Sequence, residues 1–179
     1  MSVKSYIRKL LGGSTMSALP RGKSAPPISL ADTSGKKRSL AEALKSGPVL
    51  VAFFKVSCPT CQFTMPFLER LHRSYAGPKF TLLGISQDDK RDTLEFCHEY
   101  DVQFPALIDE DGYPVSNQYR ITNVPTMFWI TSDGQIQETS MGFSKADLEK
   151  IAGQAAQVTG KPRAPLFKPG EVIPETKHG

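Results

Sequence analysis

Cysteine is scarce in this chain, and its scarcity excludes whole classes of protein. Three cysteines in 179 residues, Cys58, Cys61 and Cys97, cannot build a disulfide scaffold, and any pairing leaves one over. Further metal ligands are missing too. Beyond Cys58 and Cys61 only Cys97, His72, His98 and His178 remain, at no paired spacing, so no zinc or other metal site is expected. No run of about 18 apolar residues occurs, so no transmembrane helix is expected. Near Lys4, Arg8 and Lys9 the apolar residues are Ile7, Leu10 and Leu11, too few for a secretory signal. Read literally, the chain is cytoplasmic; a chain that had lost a signal would be periplasmic. Acidic residues are absent from the first 23 positions, which carry five basic ones, whereas residues 24–160 carry 13 basic and 16 acidic. The net charge of +4 therefore belongs to the ends. No basic patch interleaved with aromatics argues for nucleic acid.

The length allows one domain with a core plus some tail. Residues 1–25 read as a flexible basic tail, with one short amphipathic helix over Val3–Leu11 stopped by Gly12 and Gly13. Ile28–Asp32 and the turn at Thr33–Lys36 predict a small strand or hairpin. Ser39 caps a short helix that stops at Gly47-Pro48. Val49–Phe54 is a continuous apolar run of strand length, as for a strand covered on both faces. Cys61–Tyr75 carries Phe63, Phe67, Leu68, Leu71 and Tyr75 at helical spacing. Strands are predicted at Phe80–Ser86, Pro105–Asp109, Thr126–Thr131 and Gln135–Met141. Helices are predicted at Lys90–Tyr100, capped by Asp88 or Asp89, and at Lys145–Val158, capped by Ser144, with one or two helical turns at Tyr113–Tyr119. Asp133-Gly134 between two strands signals a hairpin. Four prolines mark residues 159–179 as an extended tail. The pattern is α/β, a mixed central sheet with helices on both faces.

The chemistry lies in Cys58-Pro59-Thr60-Cys61, between the apolar strand and the helix. Two thiols at this spacing can close a small disulfide and reopen it. The first sulfur falls at a helix N-terminus, where unpaired N–H groups and the helix dipole favour a thiolate, the form that attacks disulfides. A Cys58 pKa below the roughly 8.5 of a free thiol is expected. Two buried structural cysteines are the duller alternative.

The chain resembles the thioredoxin superfamily, in particular its TlpA-like and AhpC/TSA-like (redoxin) members. Pro66, five residues after Cys61, matches the proline that kinks the family's active-site helix. Val124-Pro125-Thr126 matches the strand that opens on a cis-proline. Ser132-Asp133-Gly134 matches the family hairpin, and Gly142 followed by Phe143–Leu148 matches its glycine and capped last helix. Residues 26–46 are similar to the hairpin and helix that precede the core in TlpA-like and peroxiredoxin members. The resemblance covers roughly residues 26–158 and implies a thioredoxin fold with that N-terminal extension.

It also implies a thiol–disulfide oxidoreductase. Cys58 would be the nucleophile and Cys61 the resolver, with Pro59 and Thr60 tuning the pair. Pro59, Thr60, Val124 and Pro125 would bind substrate, Val124 offering its backbone N–H and C=O to an added substrate strand. No cofactor beyond the cysteine pair is expected. The expected partners are protein thiols or disulfides and a redox partner, and the expected state is a monomer. Departures matter. Ser57 replaces the usual Trp before the first cysteine. Ala52 and Thr64 stand where related proteins carry acids, so the proton acceptor for Cys61 is left to water or to an acid that folding brings near. An AhpC/TSA-type thiol peroxidase is the alternative, but Lys55 occupies its Thr or Ser position and Val51 its proline. A non-enzymatic thioredoxin-fold chaperone or interaction domain is the third reading. Cys97 reads as a core cysteine rather than a second redox thiol. Lys55 is a rim lysine or simply solvated, and Phe128 and Trp129 are core or platform aromatics.

Overall fold

A computed structural model describes residues 17–179. The helix expected over Val3–Leu11 and most of the expected N-terminal tail lie outside these residues. The described chain opens with a hairpin, β1 (Ser29–Ala31) and β2 (Lys37–Ser39), and the short helix α1 (Leu40–Leu44). The core follows as β3 (Val49–Phe54), α2 (Pro59–Tyr75), β4 (Thr81–Ser86), α3 (Lys90–Glu99), β5 (Ala106–Ile108) and α4 (Pro114–Gln118). It ends with β6 (Thr126–Ile130), β7 (Ile136–Met141), β8 (Phe143–Ser144), α5 (Lys145–Thr159) and β9 (Thr176–Lys177). No helix among the described residues is long and apolar enough to cross a membrane.

Five strands form one sheet in the order β5-β4-β3-β6-β7. β3, β4 and β5 run parallel, and β6 runs antiparallel to both β3 and β7. This is the thioredoxin fold with an N-terminal hairpin and helix. β3 lies at the centre, and all six of its residues are buried. Its alternation divides the core. Leu50, Ala52 and Phe54 face α2, α3 and α5, while Val49, Val51 and Phe53 face α1 and α4. The three longer helices start where the sequence supplies an acceptor. Asp89 and Ser144 take N–H groups of Asp92 and Asp147, and Cys58 takes that of Cys61.

Both ends of the described chain dock on this core. Ala18 and Leu19 are buried, so packing begins before the boundary expected at residue 25. Gly22 N–H donates to Ile136 O at 2.8 Å and Ala25 N–H to Gly134 O at 2.8 Å, which lays the segment along β7. At the other end Leu166 is buried, and Phe167 lies 5.0 Å from the Phe67 ring. Arg70 grips Glu171 through two nitrogens at 2.8 and 2.5 Å. Residues 161–179 are thus extended, as their prolines imply, and held against α2 and α5.

Candidate functional site

The chain turns sharply after β3. Cys58 N–H donates to Lys55 O at 3.1 Å, and Cys58 takes an extended conformation (φ −83°, ψ 116°) just before α2. Pro59 follows as the first helical residue, where its missing N–H has no partner to lose. The Cys58 sulfur accepts the Cys61 N–H at 3.4 Å, and all three cysteines are free thiols. Cys58 is half-buried, and Cys61 is wholly buried beneath it. A reagent from solution therefore meets Cys58 first.

Burial pushes the Cys61 thiol well above its ordinary range. The Lys55 backbone N–H pulls the other way, while Cys58 and the negative charge of Asp88 push it further up. Asp88 lies on the loop between β4 and α3, and its Oδ2 accepts the Val56 N–H at 2.7 Å. Folding thus brings an acid near enough for its charge to be felt at Cys61, one that neither Ala52 nor Thr64 supplies. In the sequence Asp88 shows only as one of two candidate helix caps; Asp89 takes the cap and frees Asp88 for the turn before Cys58.

The Val124–Pro125 peptide is cis, and Pro125 is buried beside the cysteines. The Cys58 thiol donates to Val124 O at 3.3 Å, so two distant stretches of chain converge on one sulfur. Thr60 makes a contact that the sequence does not predict. The N–H that reaches the Cys58 sulfur belongs to Cys61 rather than to Thr60. The Thr60 hydroxyl donates instead to His178 O at 2.5 Å. His178, like Gly179 beside it, was not foreseen at the site. Their only trace in the sequence is Gly142, whose φ of 72° and missing Cβ let the Lys177 carbonyl approach.

The remaining candidates stay outside. Cys97 is half-buried on α3, and its thiol is pushed up to about 11 by burial and then by Glu69, which suits a packed rather than a reactive cysteine. Lys55 contributes backbone contacts to both cysteines. Phe128 and Trp129 are core, Trp129 stacking on Phe80 with ring centroids 5.4 Å apart.

The model of the AhpC/TSA family matches residues 21–139. The chain belongs to the AhpC/TSA family. Relatives of this AhpC/TSA member include the thioredoxin-like protein YneN of Bacillus subtilis, 30% identical over 152 residues, 82% of this chain and 84% of that protein. The thiol-disulfide oxidoreductase ResA of Bacillus cereus is 29% identical over 139 residues, 77% of this chain and 78% of that one. Among solved structures, the thioredoxin domain of a thiol-disulfide oxidoreductase from Bacteroides vulgatus superposes with a TM-score of 0.69 at 24% identity, covering 76% of this chain and 98% of that domain. That likeness shows the fold. The relatives support the oxidoreductase reading of this AhpC/TSA chain over the peroxidase and the non-enzymatic ones.

Proposed function

We propose that Cys58 and Cys61 carry thiol–disulfide exchange with protein substrates through a mixed disulfide. The observation that carries this reading is the stacking of the pair. A half-exposed sulfur at a helix N-terminus accepts the N–H of a fully buried partner thiol.

In the reducing direction the Cys58 thiolate attacks one sulfur of a substrate disulfide. A Cys58–substrate disulfide forms, the substrate S–S bond breaks, and one substrate thiolate leaves and takes a proton. Cys61 then loses its proton and attacks the Cys58 sulfur. The Cys58–Cys61 disulfide forms, and the second substrate thiolate leaves. Two electrons have passed to the substrate, and the reverse sequence oxidises a dithiol. Asp88 is the group we assign to receive the Cys61 proton, directly or through one water. The exchange needs no cofactor beyond the pair. Its direction follows from the reduction potential, near about −270 mV for a thioredoxin-like reductant and about −120 mV for a DsbA-like oxidant.

Single-turnover reaction of the reduced protein with insulin tests the assignment. Cys58→Ser is expected to abolish it. Cys61→Ser is expected to stop at a stable mixed disulfide visible by mass spectrometry under non-reducing conditions. Insulin reduction that persists unchanged in Cys58→Ser would sink the proposal.

A further inference from the structure

Segment 171–179 continues along α2 and the start of α5 and runs across the cysteine site. It is pinned at several points. Arg70 holds Glu171, and Lys145 N–H donates to Glu175 O at 2.9 Å. β9 then pairs antiparallel with β8, Lys177 opposite Phe143 and Thr176 opposite Ser144. The Lys177 ammonium lies 5.7 Å from the centre of the Phe63 ring. Beyond β9, the His178 carbonyl takes the buried Thr60 hydroxyl, and Gly179 packs so closely on Val124 that a Cβ there would overlap the Val124 carbonyl. At Gly142 a Cβ would come within 2.6 Å of the Lys177 carbonyl. Both glycines are thus places where only a bare backbone fits.

Two of these partners lie in the redox site itself. Thr60 sits between the cysteines in sequence, and the Val124 carbonyl is the one that Cys58 also contacts. The segment is extended, adds a strand to β8, which pairs with no other strand among the described residues, and reaches Val124 by its backbone. That is how a substrate peptide would bind an edge of this kind. A substrate strand and this segment cannot both occupy it.

We infer that segment 171–179 is a built-in competitor that occupies the peptide-docking edge beside Cys58 and must lift away before a protein substrate can bind. The inference rests on the exchange reading above and adds to it the substrate's form: an extended backbone laid antiparallel to Phe143–Ser144. The residues of the segment from Glu175 to Gly179 remain solvent-exposed on their outer side, so release does not require unfolding a core. A docking edge that is closed most of the time weakens apparent substrate affinity by the fraction left open.

The test compares the wild type with two variants, one lacking residues 175–179 and one carrying Gly179→Val, whose side chain has no room against Val124. Each reduced protein reacts in single turnover with insulin and with 5,5′-dithiobis(2-nitrobenzoate), a disulfide too small to need the edge. Both variants are expected to gain about tenfold in rate with insulin, for an edge open about a tenth of the time, and much less with the small disulfide. A synthetic peptide of residues 171–179 should bring the insulin rate of the truncated protein back down. If the truncated chain does not fold, Gly179→Val decides alone. Insulin rates equal to or below that of the wild type in a folded variant, with the small disulfide still reacting, would overturn the competitor and leave the exchange reading intact. No reaction of any form with either disulfide would overturn both.

Discussion

On one face of the sheet, Leu50, Ala52 and Phe54 meet the cysteine helix α2, α3, α5 and the segment from 161 onward. On the other, Val49, Val51 and Phe53 meet α1, α4 and the segment from 18 onward. The two faces share an architecture: an apolar half of β3, covering helices and a docked terminal segment. Both hold hydrogen-bonded buried carboxylates, Glu69 on the first face taking the Arg73 guanidinium and the Gln103 N–H; they differ in that the first also buries the Cys61 thiol. On the second face Asp109 accepts bonds from Val115 N–H, Ser116 N–H and the Ser116 hydroxyl at 2.7–3.0 Å, all holding the start of α4. Asp32, at the hairpin, likewise accepts from Ser34, Lys36 and Arg38. On the first face the Cys61 thiol is buried with its ionisation opposed, chiefly by burial and last by the charge of Asp88. Saturated carboxylates hold structure; a buried thiol whose ionisation is opposed is a candidate for chemistry.

The strongest break of this comparison is Asp109→Ala. It strands two buried N–H groups and a hydroxyl, and is expected to cost about 3 kcal/mol of stability by denaturant unfolding. The insulin rate per folded molecule should not change. A fall in that rate at full occupancy of the folded state would mean that the second face shares in the chemistry.

Asp88→Asn sharpens the other side. The amide oxygen can still accept the Val56 N–H, so the turn before Cys58 is kept. As a proton acceptor Asp88 is then lost, and resolution of the mixed disulfide at pH 7 should slow about ten- to a hundredfold, followed by rapid quench. If Asp88 acted by charge alone the rate would rise instead, because removing its charge eases ionisation of Cys61.

The sequence shows the Cys58–Cys61 pair of the first face and nearly all of the scaffold. Val49–Phe54 is predicted to the residue, and the caps Ser39, Asp89 and Ser144 stand at their helices because side-chain capping is a local signal. What stayed hidden is long-range. Asp88 reaches the turn before Cys58 only because parallel β3 and β4 end side by side, Phe54 opposite Ser86. The pairing of β9 with β8 spans more than thirty residues of sequence. It involves two residues on each strand, too few for any alternation, and prolines in that stretch read as a tail. Ala18 and Leu19 escaped notice for the same reason: two apolar residues among polar ones carry no period.

The smallest effect expected concerns pH, and it isolates the second face. Asp32 is held at about 2, against an ordinary 3.8. Burial alone would raise it, but the Ser34 and Arg38 side chains and the Lys36 and Ser34 backbone N–H groups outweigh that. Because the folded value lies below the unfolded one, the charged form favours the fold. Its contribution is fully present above about pH 4 and disappears as pH falls towards 2. Wild type should therefore lose about 2 kcal/mol more than Asp32→Asn between pH 5 and pH 2, read from melting temperatures across that range. At pH 7 the variant should be the less stable of the two, and the gap should close on acidification. Parallel curves would show that the Asp32 bonds do not favour its charged form in the folded state. An altered insulin rate in the folded variant would show instead that the hairpin communicates with the cysteines, and the division between the faces would fail at its most distant point.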